Sequence, residues 1–282
     1  SEIMLQQTTV ATVKAYFEAF MVKWRTLSDL ASADLDDVLV AWQGLGYYAR
    51  ARNLLKCART VADTHAGAFP DTVDALLKLP GVGPYTASAV AAIAYNRPTV
   101  PVDGNIERVV SRLFNIRTPL PGAKPEIQTC ASLFADSERP GDFAQAVMDM
   151  GATICVPKNP KCMLCPVQEY CDGRKMGDPS VLPVKAPKKV RPERRAAMFW
   201  LENANGAVLL RRRAESGLLG GMMEFPSTDW REGDWPDSEE CESAEPISTE
   251  WICLPDEAVH VFTHFKFRIQ VFVGKTDRIE NT

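Results

Sequence analysis

Four cysteines fall within 17 residues, Cys155-x6-Cys162-x2-Cys165-x5-Cys171, while the other four in the chain are scattered. Pro157, Pro160 and Pro166 break any long helix across this stretch, so it has to be a loop drawn together by whatever its thiols bind. Clustering of this kind, in a chain whose first residues show neither a basic n-region nor an apolar signal core, favours a metal centre over disulfides. Two chemistries suit four close thiolates, a [4Fe–4S] cluster or one tetrahedral zinc ion. Lys158 and Lys161 lie between the first two ligands, where they can reach phosphate.

Around this knot the pattern changes. From residue 3 to about 152 apolar residues recur at helical spacing, as in Val10, Val13, Tyr16, Phe17 and Phe20, or Val109, Val110, Leu113 and Phe114. Residues 174–193 are rich in Pro, Lys and Gly and read as a linker. Beyond it come short β-type runs at 197–201, 207–210 and 267–273. The expected organisation is a mainly α domain over 1–173, a linker over 174–193 and a smaller α/β domain over 194–282. Asp229–Glu250, acidic and poor in aliphatic residues, is expected to be a mobile surface loop. No apolar run approaches the ~20 residues of a membrane span, so a cytoplasmic protein without membrane association is expected.

A net charge of −4 argues against nucleic acid until it is divided. Residues 196–282 carry 8 basic against 16 acidic residues, which leaves 24 against 20 in 1–195. The helical part is therefore basic. Two of its runs, Arg50, Arg52, Lys56 and Arg59, and Lys185, Lys188, Lys189, Arg191, Arg194 and Arg195, either follow phosphates or form solvated faces.

Leu79-Pro80-Gly81-Val82-Gly83 joins two helical patterns, 71–78 and 84–95, with Pro84 at a first helical position. Glycines there let backbone N–H groups at a helix N-terminus approach a phosphate, so DNA can be gripped with little positive charge. A plain helix–helix connection is the alternative. Twenty residues on, Val102-Asp103-Gly104-Asn105 opens another amphipathic helix, where Asp103 is either an N-cap or a carboxylate held for chemistry.

Hairpin, downstream Asp and cysteine cluster, in this order over residues 1 to about 173, resemble the helix-hairpin-helix glycosylase superfamily. The cysteine spacing is similar to that of endonuclease III and MutY, which implies a [4Fe–4S] cluster. Ser1-Glu2-Ile3-Met4-Leu5-Gln6-Gln7-Thr8 resembles the catalytic-acid motif of the MutY-type adenine DNA glycosylases. Cleaving an N-glycosidic bond builds positive charge on the sugar and negative charge on the base, so an acid and a facing carboxylate are the minimum equipment. The resemblance implies that Glu2 protonates adenine at N7 and helps with the attacking water, and that Asp103 stabilises the oxocarbenium-like sugar or bonds to it transiently, with Asn105 and Tyr85 in support. It also implies that Gln6, Gln7 and the Tyr47-Tyr48 pair probe or wedge the duplex during base flipping, and that Gly81, Val82, Gly83, Lys158 and Lys161 hold DNA. A relative that also cuts the backbone carries a lysine at position 85. Tyr85 cannot form an imine, so a monofunctional enzyme is expected.

Gly217–Pro226 and His260–Phe265 resemble the Nudix-related domain that reads 8-oxoguanine in this family, with Phe262-Thr263-His264 matching a Phe-Ser-His reader. The acid-rich helix of a Nudix hydrolase is missing after Gly220-Gly221, so recognition without hydrolysis is expected. The resemblance further implies some thirty residues ahead of Glu2, more chain after 282, a monomer of bacterial type working on the chromosome, and DNA carrying 8-oxoguanine:A or G:A pairs as the partner. Three readings compete: an endonuclease III-like lyase, a non-catalytic cluster-bearing DNA-binding protein, and a zinc-knotted scaffold.

Overall fold

Side-chain oxygens at Thr9, Thr26, Asp34, Thr72 and Asp103 each accept a first-turn backbone N–H, and a helix begins after every one of them. In the computed structural model, which describes residues 1–187, 190–215 and 217–277, the chain forms two units that divide after Pro187. Lys188 and Lys189, from the second basic run, lie outside the described residues.

The first unit is helical, as its periodicity predicts: α1 (Glu2–Leu5), α2 (Val10–Lys23), α3 (Leu27–Ala31), α4 (Leu35–Ala41), α5 (Ala49–Thr64), α6 (Val73–Leu76), α7 (Pro84–Tyr95), α8 (Gly104–Leu113), α9 (Lys124–Ser132), α10 (Pro140–Thr153) and α11 (Asp172–Lys175). One apolar cluster, with Met4, Val13, Phe20, Val38, Trp42 and Leu55, locks α1, α2, α4 and α5 together. A second, with Val61, Leu76, Leu79, Ala87 and Ala91, packs the hairpin helices α6 and α7 on α5. A third, with Ile106, Val110, Ile127 and Ala131, joins α8 to α9. Glu2, Tyr85 and Asp103 lie at helix starts and belong to none of these clusters.

Residues 174–187, read as linker, are partly built into this unit. Leu182 is 2% exposed, and Leu120 N–H donates to Val184 O at 2.9 Å. A Pro- and Lys-rich composition does not register a single buried leucine.

The second unit centres on two 11-residue parallel strands, β1 (Glu193–Asn203) and, last in the chain, β7 (Lys266–Thr276), in register from Glu193 opposite Lys266 to Asn203 opposite Thr276. Between them come β2 (Arg211–Arg212), β3 (Met223–Glu224), β4 (Arg231–Glu232), α12 (Ser238–Ala244), β5 (Ile252–Cys253) and β6 (Ala258–Val261). The main sheet runs β4-β1-β7-β5, with β6 also paired to β7, and β2-β3 form a separate ribbon. The strand expected at 207–210 lies slightly later, at Arg211–Arg212.

Asp229–Glu250, expected to be a mobile loop, instead contains β4 and α12. Asp237 and Glu240 form a reciprocal capping box, and the Arg231 guanidinium binds both Glu240 oxygens and Trp235 O. Net acidity concealed a local arrangement in which one of those acids starts a helix and another receives an arginine.

Where α10 crosses α8, Gly151 leaves no room for a methyl group: a Cβ there would lie 2.7 Å from Asn105 Cβ and 3.1 Å from Asn105 O. Gly151→Ala gains about 1 kcal/mol of helix propensity but overpacks the crossing by about 1–3 kcal/mol. The clash wins. The variant is expected to unfold a few degrees below the unmutated protein in a thermal melt, and an equal or higher midpoint contradicts this close crossing.

Candidate active site and cluster loop

Three helix N-termini far apart in sequence bring Glu2, Tyr85 and Asp103 together. Glu2 is the first residue of α1, Tyr85 the second of α7, and Asp103 the N-cap of α8. The Tyr85 hydroxyl donates to Glu2 Oε2 at 3.2 Å. Burial pushes this hydroxyl far above the ordinary phenol range, and the charges of Glu2 and Asp103 push it further, so it remains a proton donor throughout the range in which duplex DNA persists.

Asp103 uses its two carboxylate oxygens differently. Its Oδ1 accepts from Asn105 N at 2.9 Å and Ile106 N at 2.7 Å, which is N-capping. Its Oδ2 accepts from Asn105 Nδ2 at 3.0 Å, which orients the carboxylate. Asn105 Oδ1 in turn accepts from Arg108 Nη2 at 2.9 Å, and Arg108 Nε donates to Cys155 O at 2.7 Å. A continuous line of hydrogen bonds therefore runs from the first cysteine of the loop to the carboxylate.

The residues expected to touch DNA separate into exposed and packed ones. Gln7 and Tyr47 are exposed and left-handed, at φ 60° and 46°, whereas Gln6 is half-buried and donates to Thr86 Oγ1 at 3.0 Å. Of the tyrosine pair, only Tyr48 packs against the core. At the hairpin, Gly81 has φ 74° and a Cβ there would meet Asn53 Cβ at 2.6 Å. Val82 is anchored in the α5–α7 cluster, and Gly83 starts α7 with no side-chain cap, leaving that helix end open to an anion. Lys158 and Lys161 are exposed on the cysteine loop. The run Arg50, Arg52, Lys56 and Arg59 is not a phosphate track as a whole: Arg50 and Arg52 are each 7% exposed, and Arg59 donates to Ala31 O and Ala33 O.

Cys155, Cys162, Cys165 and Cys171 line one cavity, all four as free thiols. Among the described residues no three or more His, Cys, Asp or Glu side chains converge on a single-ion point; the thiols ring the cavity instead. Burial, and then the charges of the other three cysteines, push the Cys171 thiol up, so four thiolates gathered here need positive charge among them. The donor set fits an iron–sulfur cluster held by these four residues.

Sequence reasoning missed what holds this loop. Arg112, 1% exposed, donates from Nε to Leu182 O at 3.1 Å, from Nη1 to Cys155 O, Cys155 Sγ and Val156 O at 3.2, 3.3 and 2.8 Å, and from Nη2 to Pro157 O at 2.9 Å. Gly173 lets the chain after the last cysteine come back onto α8, because a Cβ there would lie 2.5 Å from Arg112 O. One signal was available: Arg108 and Arg112 sit at i,i+4, a like-charge spacing that costs stability unless each has its own acceptors.

In the second unit, Thr263 and His264 are exposed at the turn between β6 and β7, which Phe262 N–H closes onto Phe265 O at 2.9 Å. The Phe262 ring is half-buried, stacked on Phe265 at 4.7 Å and 6.0 Å from Trp230. That suits an anchor for the turn better than a wedge.

Arg112→Met keeps most of the side-chain volume but strands several buried acceptors, at about 1–3 kcal/mol each. The variant is expected to lose cluster absorbance in the visible while keeping most far-ultraviolet helix signal. Full visible absorbance with unmutated thermal stability would show that the loop holds itself.

The geometry agrees with what the chain is similar to. The model of HhH-GPD superfamily base excision DNA repair proteins matches residues 1–134, the iron–sulfur binding domain of endonuclease III matches 155–171, and a NUDIX domain matches 197–282. The second match, on the four ring cysteines, decides for a [4Fe–4S] cluster over zinc. Among solved structures, a thermostable thymine-DNA glycosylase is 30% identical with a TM-score of 0.57 over 62% of this chain and 82% of its own. Endonuclease III in a non-covalent DNA complex is 28% identical with a TM-score of 0.54, covering 62% and 81%. Human adenine DNA glycosylase is 38% identical over 96% of this chain and 59% of its own length, so the chain spans well under two thirds of that relative. The adenine DNA glycosylase of Schizosaccharomyces pombe is 32% identical over all of this chain and 73% of its own. Helical unit, cluster loop and relatives agree: the chain belongs to the adenine DNA glycosylase family within the HhH-GPD superfamily of base excision DNA repair proteins.

Proposed function

We propose that this chain is a monofunctional glycosylase that removes adenine paired with 8-oxoguanine or guanine in duplex DNA. The observation that carries the reading is the meeting of Glu2, Tyr85 and Asp103 at one place, with a phenol and no lysine at position 85. In the proposed reaction Glu2 gives a proton to N7 of the extruded adenine, which turns the base into a leaving group. The C1′–N9 bond breaks with its electron pair going to the base. Asp103, oriented by Asn105, faces the developing positive charge on the sugar, and water then adds to C1′ with loss of a proton to Glu2. Tyr85 holds the Glu2 carboxyl in place through its hydroxyl. The cluster takes no part in these steps, since nothing in them is oxidised or reduced.

Under single-turnover conditions the protein is expected to release adenine from both 8-oxoguanine:A and G:A duplexes, with strand breaks only after alkali. Glu2→Gln is expected to lower the rate by roughly 10²–10⁴-fold. Breaks without alkali, trapped by borohydride, would identify a lyase, and no release from either duplex would leave a DNA-binding protein.

Adenine is a normal base, so selectivity has to come from the base opposite. Thr263 and His264, exposed on a turn that Phe262 anchors, are the proposed reader of the oxidised guanine. The double variant Thr263→Ala, His264→Ala is expected to lose about 1–3 kcal/mol of preference for 8-oxoguanine:A over G:A. Excision from G:A should change little. Equal losses on both duplexes would point to general binding, and no loss would place the reader elsewhere.

A further inference from the structure

Arg50 is a buried cation whose hydrogen bonds go to backbone carbonyls and one hydroxyl. From Nη1 it donates to Ile3 O at 3.2 Å, Met4 O at 2.8 Å and Gln6 O; from Nη2 it donates to Thr8 Oγ1 at 3.2 Å, Leu45 O at 2.8 Å and Gly46 O at 3.2 Å. The first group belongs to the C-terminal end of α1 and the turn after it. There the last carbonyls have no helical partner, and a positive charge is favourable. Thr8 Oγ1 lies on that same turn after α1, while Leu45 O and Gly46 O belong to the turn before α5, where Gly44, Gly46 and Tyr47 are all left-handed, at φ 98°, 67° and 46°. The same guanidinium lies 5.2 Å from the Trp42 ring centroid and 5.7 Å from that of Tyr47, and Trp42 Nε1 also donates to Gly46 O at 3.0 Å.

The two turns end in Gln7 and Tyr47, both exposed and both held at positive φ by the backbone around them. We infer that Arg50 is a positioning residue that ties the Gln6–Gln7 turn to the Gly44–Tyr47 turn, so that Gln7 and Tyr47 press on the duplex as one rigid pair and Arg50 governs extrusion of the base rather than cleavage of its bond. The inference rests on the glycosylase reading above. A fork of donors is what the position requires: six acceptors on two turns surround it, and a lysine ammonium has three donors on a single centre.

The test compares Arg50→Lys with the unmutated protein on two substrates. One is a G:A duplex, in which the adenine must be unstacked and unpaired. The other carries the adenine as an unpaired single-nucleotide bulge, which needs less work to extrude. Arg50→Lys is expected to slow single-turnover excision from the G:A duplex by about 10–100-fold, as small misplacements do, and excision from the bulge by less than about threefold. The pH profile of the bulge reaction should stay where it was. The fluorescence rise of 2-aminopurine beside the target base, which reports extrusion without cleavage, should slow in parallel with the duplex reaction. Gly46→Ala, which strains the same turn and leaves the guanidinium intact, should give the same split between substrates, and it serves as the test if Arg50→Lys does not fold. Equal losses on both substrates, or a shifted pH profile, would overturn the inference by showing that Arg50 acts on Glu2 or on the fold. No loss on the duplex would overturn it outright. If the unmutated protein releases no adenine, it is the glycosylase reading that fails, and the 2-aminopurine signal still decides the role of Arg50.

Discussion

A buried guanidinium without a carboxylate is the interaction on which the helical unit depends. Arg112 directs its charge into the carbonyls of Cys155, Val156, Pro157 and Leu182, so a single side chain fixes the entry to the cysteine loop and the strand of chain that returns from it. Removing such a charge from water is costly, and the cost is offset only where nearly every donor finds an acceptor. The loop therefore cannot relax independently of α8. One turn earlier on the same helix face, Arg108 applies the same device between Cys155 and Asn105. The helix that presents Asp103 is thus the one that carries the metal loop, and positioning the carboxylate and closing the loop are one structural task.

The charge distribution follows from the same economy. Under the proposed function, a domain that gripped DNA with backbone amides at an uncapped helix end, such as the one at Gly83–Pro84, would not require a strongly basic surface. Several of its arginines can then be used inside. Arg50, Arg59, Arg108 and Arg112 enter the sequence simply as positive charge, yet each binds carbonyl oxygens at turns and helix ends.

This explains which parts of the protein were legible in the sequence. The cysteine spacing, the Pro-Gly-x-Gly hairpin and the Asp-Gly-Asn helix start are local chemistry, complete within a few residues, and pattern alone locates them. All the acceptors of Arg112, and those of Arg50 on the turn after α1, lie more than forty residues away in sequence, so nothing nearby announces what these side chains join. The same limit applied to Tyr47 and Tyr48, adjacent and alike in sequence, of which the turn at Gly44–Gly46 exposes one and buries much of the other. Composition misled where it averaged over unlike residues: Asp229–Glu250 is acidic, but its acids include a helix cap and an arginine partner.

Under the proposed chemistry Asp103 would do two jobs with the two oxygens of one carboxylate, and asparagine could take over only one of them. An amide oxygen still accepts the N–H groups of Asn105 and Ile106, so α8 starts as before; it cannot balance a positive sugar. Under the proposed chemistry, a chain altered in this way would fold, find the mispair, turn the adenine out and keep it. The damaged site would be occupied by a protein that neither repairs it nor yields to one that can. Under that chemistry a conservative substitution at this position would block the mispair, whereas loss of the protein would leave it open.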